Sequence, residues 1–234
     1  STILQDLVWQ EHLVLIAAMI LGALPFTFHY GFVRKRFLSP KLGKEVLIYF
    51  AVMGAAILLF LWLSGLDPIN GIFYTVSAST TAGLQITSLA SLNEAAHIIL
   101  IILMFIGGCG FSTAGGIKIF RFMQMKKFYS FMIPAKRKEL TKDEKKEVAT
   151  ASLIIALFPI IAAITAGHFM SITDAEFDDA FLEATGIITT GGLSANVITV
   201  DMDPATKIAM SFLMIFGRLE IIAVLYIFIP KLAP

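Results

Sequence analysis

The sequence predicts an all-α membrane protein made of repeated hairpins, each an outer helix, a short pore half-helix, an extended strip and an inner helix. Three observations carry this. The 234 residues are 57% hydrophobic and 15% charged, with a mean hydropathy of +0.83, which excludes an ordinary soluble surface and makes the bilayer the solvent. Apolar spans recur near residues 12–32, 46–64, 94–106, 148–168 and 205–229, most of them long enough to cross roughly 30 Å of hydrocarbon at about 1.5 Å per residue. Thr80-Thr81-Ala82-Gly83-Leu84 and Thr189-Thr190-Gly191-Gly192-Leu193 stand 109 positions apart, and the same offset sets Ile106-Gly107-Gly108 on Ile215-Phe216-Gly217. Internal repeats of this kind place a permeation site at the repeat interface, where interrupted helices expose backbone to a cavity.

The first span, 12–32, is expected to be a membrane helix. It has no charged n-region or cleavage site before it, so it does not read as a signal peptide. Of the 18 Lys and Arg residues, five lie in 34–44 and ten in 118–146. Those two loops are expected to be cytoplasmic. Asp67, Asp174, Glu176, Asp178, Asp179, Asp201 and Asp203 populate the opposite loops, which places the amino terminus outside.

After the outer helix at 46–64, Asp67-Pro68 supplies an N-cap and an N1 proline for a half-helix over about 69–80. In the second repeat, Thr173 with Glu176 reads as a capping box for one over about 174–189. Both half-helices then point their carboxyl ends inward, and the roughly half negative charge there favours a cation in the cavity ahead. Surface caps on ordinary connecting loops are the plainer alternative.

Beyond each half-helix the chain must run extended at membrane depth, where a desolvated cation can replace the lost partners of its carbonyls. Gly83 and Gly192 hold the same place in both repeats, and Thr81 and Thr190 add a hydroxyl or a carbonyl just below. A glycine helix cap explains one such site. It explains two in register less well.

The inner helix at 94–106 resumes at 117–132. The five glycines within 107–116 would cost about 4–5 kcal/mol in a continuous helix, so a break is expected there. Non-helical backbone at that depth needs protein or a water-filled cavity around it. Close helix packing on small residues is the competing explanation, whereas a phosphate loop is excluded by the missing Lys-Ser/Thr and the absence of a preceding strand.

Arg218 lies about twelve residues from either end of the last span, too deep to reach water easily, so it should face a cavity or a partner. It aligns with Cys109. It is either a fixed charge beside the glycine break or a tie to Glu220 or a loop carbonyl. The single cysteine excludes an internal disulfide. His12, His29, His97 and His168 never stand at ligand spacing and read as interfacial residues rather than a metal site. The run at 134–147 is a solvated charged segment that could meet anionic lipid or a cytosolic partner.

Four stretches together resemble the Trk/Ktr/HKT superfamily of potassium transporters. They are Ser79-Thr80-Thr81-Ala82-Gly83-Leu84, the run Gly107-Gly108-Cys109-Gly110-Phe111-Ser112-Thr113-Ala114-Gly115-Gly116-Ile117-Lys118, then Thr189-Thr190-Gly191-Gly192-Leu193-Ser194, and Gly217-Arg218-Leu219-Glu220. By the same resemblance Gly22-Ala23-Leu24-Pro25-Phe26 looks like the end of an earlier inner helix. The resemblance implies residues 1–33 as the inner helix of a preceding repeat, 34–133 as a pore repeat, 134–146 as a cytoplasmic basic linker and 147–234 as a second pore repeat. These would be the third and fourth of four repeats, the other two lying in the rest of a full-length chain.

The resemblance also implies passive K+ conduction through a filter of Thr80, Thr81, Ala82, Gly83, Thr189, Thr190, Gly191 and Gly192. The gate would be Gly107, Gly108, Gly110, Ser112, Thr113, Gly115 and Gly116, with Arg218 as the charge beside it. K+ is the transported ion, with no cofactor. The implied partners are membrane lipid, a second copy of the chain and a cytosolic nucleotide-binding ring of the TrkA/KtrA kind, and the implied location is the cell membrane. A sodium or mixed-cation transporter and a non-conducting scaffold subunit are the rival readings. No nucleophile and base stand at useful spacing, which disfavours an enzyme.

Overall fold

The structure is a computed structural model that describes residues 2–3, 8–34, 40–86, 89, 92–132, 141–199 and 201–218. The described chain is predominantly helical. In order it runs β1 (Thr2–Ile3), α1 (Trp9–Ala23), α2 (Phe26–Val33), α3 (Pro40–Ser64), α4 (Pro68–Thr80), β2 (Leu84–Gln85), α5 (Glu94–Ile106), α6 (Ile119–Met132), α7 (Lys142–Ile172), α8 (Phe177–Ile188) and α9 (Pro204–Arg218). Glu220 and the rest of the expected last span lie outside the described residues, as do 133–140 of the basic linker.

The first apolar stretch is two helices rather than one, bent by 102° between α1 and α2. Pro25 is the cause. It has no N–H to donate and keeps the preceding residue out of the helical region, and Leu24 is extended at φ −81°, ψ 151°. Among the described residues, Lys41–Ser64 and Lys142–Ile172 are long and apolar enough to cross a membrane, and the bent pair would make a third span. Their outward faces are greasy: Leu58 is 72% exposed and Trp62 78%.

On α7 the buried residues Ala151, Ile154, Phe158, Ala162, Ala166 and Phe169 fall at three- and four-residue steps. They form one stripe, against which α8 packs. The alanines let the backbones approach closely, as in helix pairs within lipid. Pro159 interrupts the middle of α7 without ending it, as membrane helices tolerate.

The short helices start differently from each other. Asp67 caps α4 as the sequence suggests, its Oδ2 accepting from Ile69 N at 3.2 Å with Pro68 at the first turn. The Thr173–Glu176 capping box does not form. The Thr173 hydroxyl donates instead to Phe169 O at 2.8 Å as α7 ends, and α8 begins three residues later than expected, with Glu176 as N-cap and Asp178 and Asp179 in its first turn. The expectation failed because a threonine there can close the helix before it as readily as open the one after it.

Candidate functional site

The carboxyl ends of α4 and α8 share three bonds at the 109-residue offset. Thr80 Oγ1 donates to Val76 O at 2.7 Å and Thr189 Oγ1 to Thr185 O at 2.6 Å. Thr81 N donates to Ala78 O and Thr190 N to Ile187 O, both at 3.1 Å, while Ala82 N reaches Ser77 O at 3.0 Å and Gly191 N reaches Gly186 O at 2.8 Å. Thr81 and Thr190 both stand at φ 53°. That left-handed conformation costs a β-branched residue about 1–2 kcal/mol. Since threonine ends each helix, Thr81 after α4 and Thr189 after α8, the glycines are not its caps: Gly83 (φ 72°) comes two residues later and Gly192 (φ 68°) three.

These strips meet each other. A Cβ added to Gly83 would lie 2.8 Å from Gly192 Cα, so only glycine fits there. One residue on, Ser77 Oγ donates to Leu84 O at 2.8 Å, and at the matching place a Cβ on Gly186 would lie 2.6 Å from Leu193 O. Beyond that, buried Gln85 pairs with the backbone of Ser194, donating from Nε2 to Ser194 O at 2.9 Å and accepting from Ser194 N at 3.1 Å. Among the described residues, the carbonyl oxygens of Thr81, Ala82, Thr190, Gly191 and Gly192 accept no hydrogen bond. The Thr190 hydroxyl is also buried without a partner.

Beneath the strips runs the glycine loop between α5 and α6, and the helix break is there as the glycine content implies. Gly107 closes α5 at φ 66°, with its N–H on Leu103 O. Ile117 N donates to Phe105 O and Ile119 N to Gly108 O, so the loop returns to its own starting point. Its outer side is sewn to the α1–α2 bend: Cys109 N donates to Ala23 O at 3.1 Å, and Thr113 donates to Gly22 O from both N (3.1 Å) and Oγ1 (2.8 Å). These are carbonyls that the Pro25 break leaves unpaired. Gly110 N donates to Glu45 Oε1 of α3 at 2.5 Å, and Ser112 Oγ donates to Cys109 O at 2.6 Å. The inner side touches both short helices. Gly115 N donates to Thr81 Oγ1 at 2.6 Å and Gly116 N to Thr189 O at 3.1 Å.

The structure therefore brings Thr81, Gly83, Thr189, Thr190, Gly191 and Gly192 against each other and against Gly115 and Gly116. Arg218 is exposed and makes no hydrogen bond or ion pair among the described residues. Its neighbour Gly217 is pressed onto the end of α8, where a Cβ would run into Ile188 O.

Sequence reasoning missed Gln85, Glu183 and Glu45 as site residues. Applying the repeat offset to Gln85 would have found its partner Ser194. An acid inside Ala180–Ile188 was the signal for Glu183.

His97, expected as an interfacial residue, is buried within the protein. Its Nε2 sits 2.9 Å from Leu89 O and its Nδ1 2.9 Å from Asp178 Oδ2, joining α5 to the start of α8. Burial pushes the Asp178 carboxyl up, but the His97 hydrogen bond and backbone N–H groups outweigh it and hold it below the usual carboxylate range. A carboxyl depressed in the folded state contributes stability above its unfolded value of about 4 and loses it as pH falls through the folded value. Asp178→Asn should therefore lower stability at neutral pH, by about 0.5–1 kcal/mol for a partly exposed, screened pair. Melts in detergent should show that deficit at pH 7 and its shrinking as pH falls below about 4 toward the folded value of the carboxyl; a deficit independent of pH would mean that packing, not charge, is lost.

Comparison with known proteins gives the family and the fold. A family model described as TrkH, a cation transport protein, matches residues 62–233. An uncharacterized cation transporter of Methanocaldococcus jannaschii is 26% identical over 92% of this chain and 47% of its own length. The Ktr system potassium uptake protein B of Vibrio alginolyticus is 29% identical over 66% of this chain and 34% of its own. The chain thus spans half or less of the length of these relatives. The crystal structure of the potassium transporter TrkH from Vibrio parahaemolyticus superposes with a TM-score of 0.72 at 22% identity, over 97% of this chain and 53% of that one, which establishes the shared fold. With the family model covering most of the chain, the protein belongs to the TrkH family of cation transport proteins.

Proposed function

We propose that this chain supplies two hairpins of a potassium-conducting pore, with the strips at 80–83 and 189–192 as its filter and the loop at 107–116 as its gate. The family is one of transporters rather than enzymes, and the potassium uptake proteins among the relatives support K+ as the ion.

One observation carries the reading. Two strips, related by the repeat, carry carbonyls that no donor among the described residues satisfies, directly ahead of two helix carboxyl ends. Along each strip φ is positive at the threonine and the second glycine position and not between them. Such alternation of hand turns successive carbonyls toward one side, as a ring replacing a hydration shell requires. Thr81 and Gly191 are buried, where an unpaired carbonyl is otherwise expensive, while Ala82 and Gly192 are exposed on the open side of the strips. Glycine in both strips favours potassium over sodium, and the broken inner helix counts against a non-conducting scaffold, in which that helix would run through.

In this arrangement the basic loops at 34–44 and 118–146 face the cytoplasm and the amino terminus lies outside. The loop at 107–116 hangs from Thr81 and Thr189 at the inner mouth of the filter, and Arg218 adds a positive charge at the depth of that barrier. A cation channel of this design would work as a homodimer in the cell membrane on a cytosolic nucleotide-binding ring.

Two hairpins are half of a four-part ring. Reconstituted alone as a monomer, the chain should pass no selective potassium flux, whereas the transporter that carries all four hairpins should take up Rb+ with saturation and in competition with K+. Selective flux by a demonstrated monomer, or folded four-hairpin protein with no Rb+ uptake, would contradict the reading.

A further inference from the structure

We propose that Gln85 and Glu183 are positioning residues for ion selection, fixing the distance between the two strips by holding Ser194 at all of its polar groups. The proposal rests on the filter reading above. Ser194 lies two residues past Gly192, and its N–H and C=O are both taken by the Gln85 amide in a pairing like that of a strand neighbour. Its hydroxyl donates to Glu183 Oε2 at 2.8 Å, and the same oxygen accepts from Ala195 N at 3.0 Å. The hydroxyl also accepts from Asn196 N at 3.0 Å. Gln85 is 1% exposed, Glu183 5% and Ser194 8%, so no water competes for these bonds and each is hard to break.

The geometry is unsymmetric where the sequence is repeated. Gln85 and Ser194 occupy matching positions, yet one supplies a side chain and the other its backbone. The counterpart of Glu183 is Tyr74, which is buried in the apolar core. A buried acid is costly unless it is hydrogen-bonded, and here its hydrogen bonds fall on the residues that follow the second strip. The clamp therefore belongs to the meeting of the two strips, where Gly83 and Gly192 are already in contact. Releasing it lets the strips part and the carbonyl ring widen. A wider ring discriminates ions by size less well, while conduction itself remains.

The test compares Rb+ and Na+ uptake per folded molecule in vesicles containing the four-hairpin transporter. Gln85→Leu keeps the side-chain volume and removes both amide bonds, and it should lower the Rb+/Na+ ratio about tenfold, the effect of losing one or two buried hydrogen bonds, while maximal uptake changes less. Glu183→Gln retains an oxygen that can accept from Ser194 and Ala195 and should keep a ratio near native; Ser194→Ala, which frees only the hydroxyl, should fall between. Gly192→Ser serves as the control for the filter itself. If Gly192→Ser alters the ratio while folded Gln85→Leu keeps it, the clamp is refuted and the filter stands. If neither alters it, the filter reading fails and the clamp with it. Should Gln85→Leu not fold, a native ratio in Ser194→Ala refutes the clamp and a lowered ratio supports it.

Discussion

Gly115→Ala should raise ion flux per folded molecule by about tenfold or more. Gly115 lies so close to α8 that a Cβ would run into the Thr189 carbonyl and the Thr190 hydroxyl. The carbonyl belongs to a buried helix end and cannot step aside. The loop has to yield, and in yielding it gives up the Gly115 bond to Thr81 Oγ1 and the Gly116 bond to Thr189 O. Two lost hydrogen bonds and a steric conflict shift the seated-to-unseated equilibrium by about 1–3 kcal/mol, and each 1.4 kcal/mol is about tenfold in population. Selectivity should persist, because neither strip is changed. Arg218→Ala should also raise flux if its charge is part of the same barrier, and the double variant should then be less than additive, since residues sharing one barrier couple. Flux has to be normalised to protein that survives size exclusion in detergent. Lower flux per folded molecule in Gly115→Ala would mean that the loop supports the pore and does not close it.

Gly192→Ser and Gly83→Ser should weaken the preference for potassium over sodium. At both positions φ is left-handed, near 70°, which costs any residue with a Cβ about 1–2 kcal/mol. The space differs: a Cβ on Gly192 would lie 3.1 Å from Gly83 Cα, whereas one on Gly83 would lie 2.8 Å from Gly192 Cα with the Gly191 carbonyl at 2.9 Å. Gly83→Ser is therefore the more disruptive, and the strips must separate to admit it. Either serine also brings a hydroxyl oxygen to the ring. The expected outcome is a Rb+/Na+ uptake ratio reduced about tenfold for Gly192→Ser and further for Gly83→Ser, on the scale at which about 1.4 kcal/mol is tenfold. An unchanged ratio in both would remove these glycines from the filter.

Much of this site can be read from local chemistry. Asp67 and Pro68 open α4 through groups adjacent in the chain, and five glycines break the inner helix through their own backbone cost. Other features depend on partners far away in sequence. Pro25 stands in plain view within the first span, but the sharp bend there is sustained by Cys109 and Thr113, which supply donors for the carbonyls it frees. Thr173 has a choice between two helices, and the bond to Phe169 O, rather than any sequence pattern, decides it. His97 and Asp178 are separated by 81 residues, so no ligand or pairing spacing could have joined them. The repeat offset was the one long-range signal available. It predicts the matched helix ends, and it contained the Gln85–Ser194 pair as well, but that bond breaks the symmetry that makes a repeat visible.

The most direct measurement is the position of a bound heavy cation. Crystals of the four-hairpin transporter grown in Rb+ should show anomalous scattering beside the two touching strips, on the side where Ala82 and Gly192 are exposed, bordered by the carbonyls of Thr81, Ala82, Thr190, Gly191 and Gly192, and Na+ in place of Rb+ should empty that position. Rb+ peaks elsewhere along the protein, with these carbonyls closed by protein donors, would contradict a filter at 80–83 and 189–192.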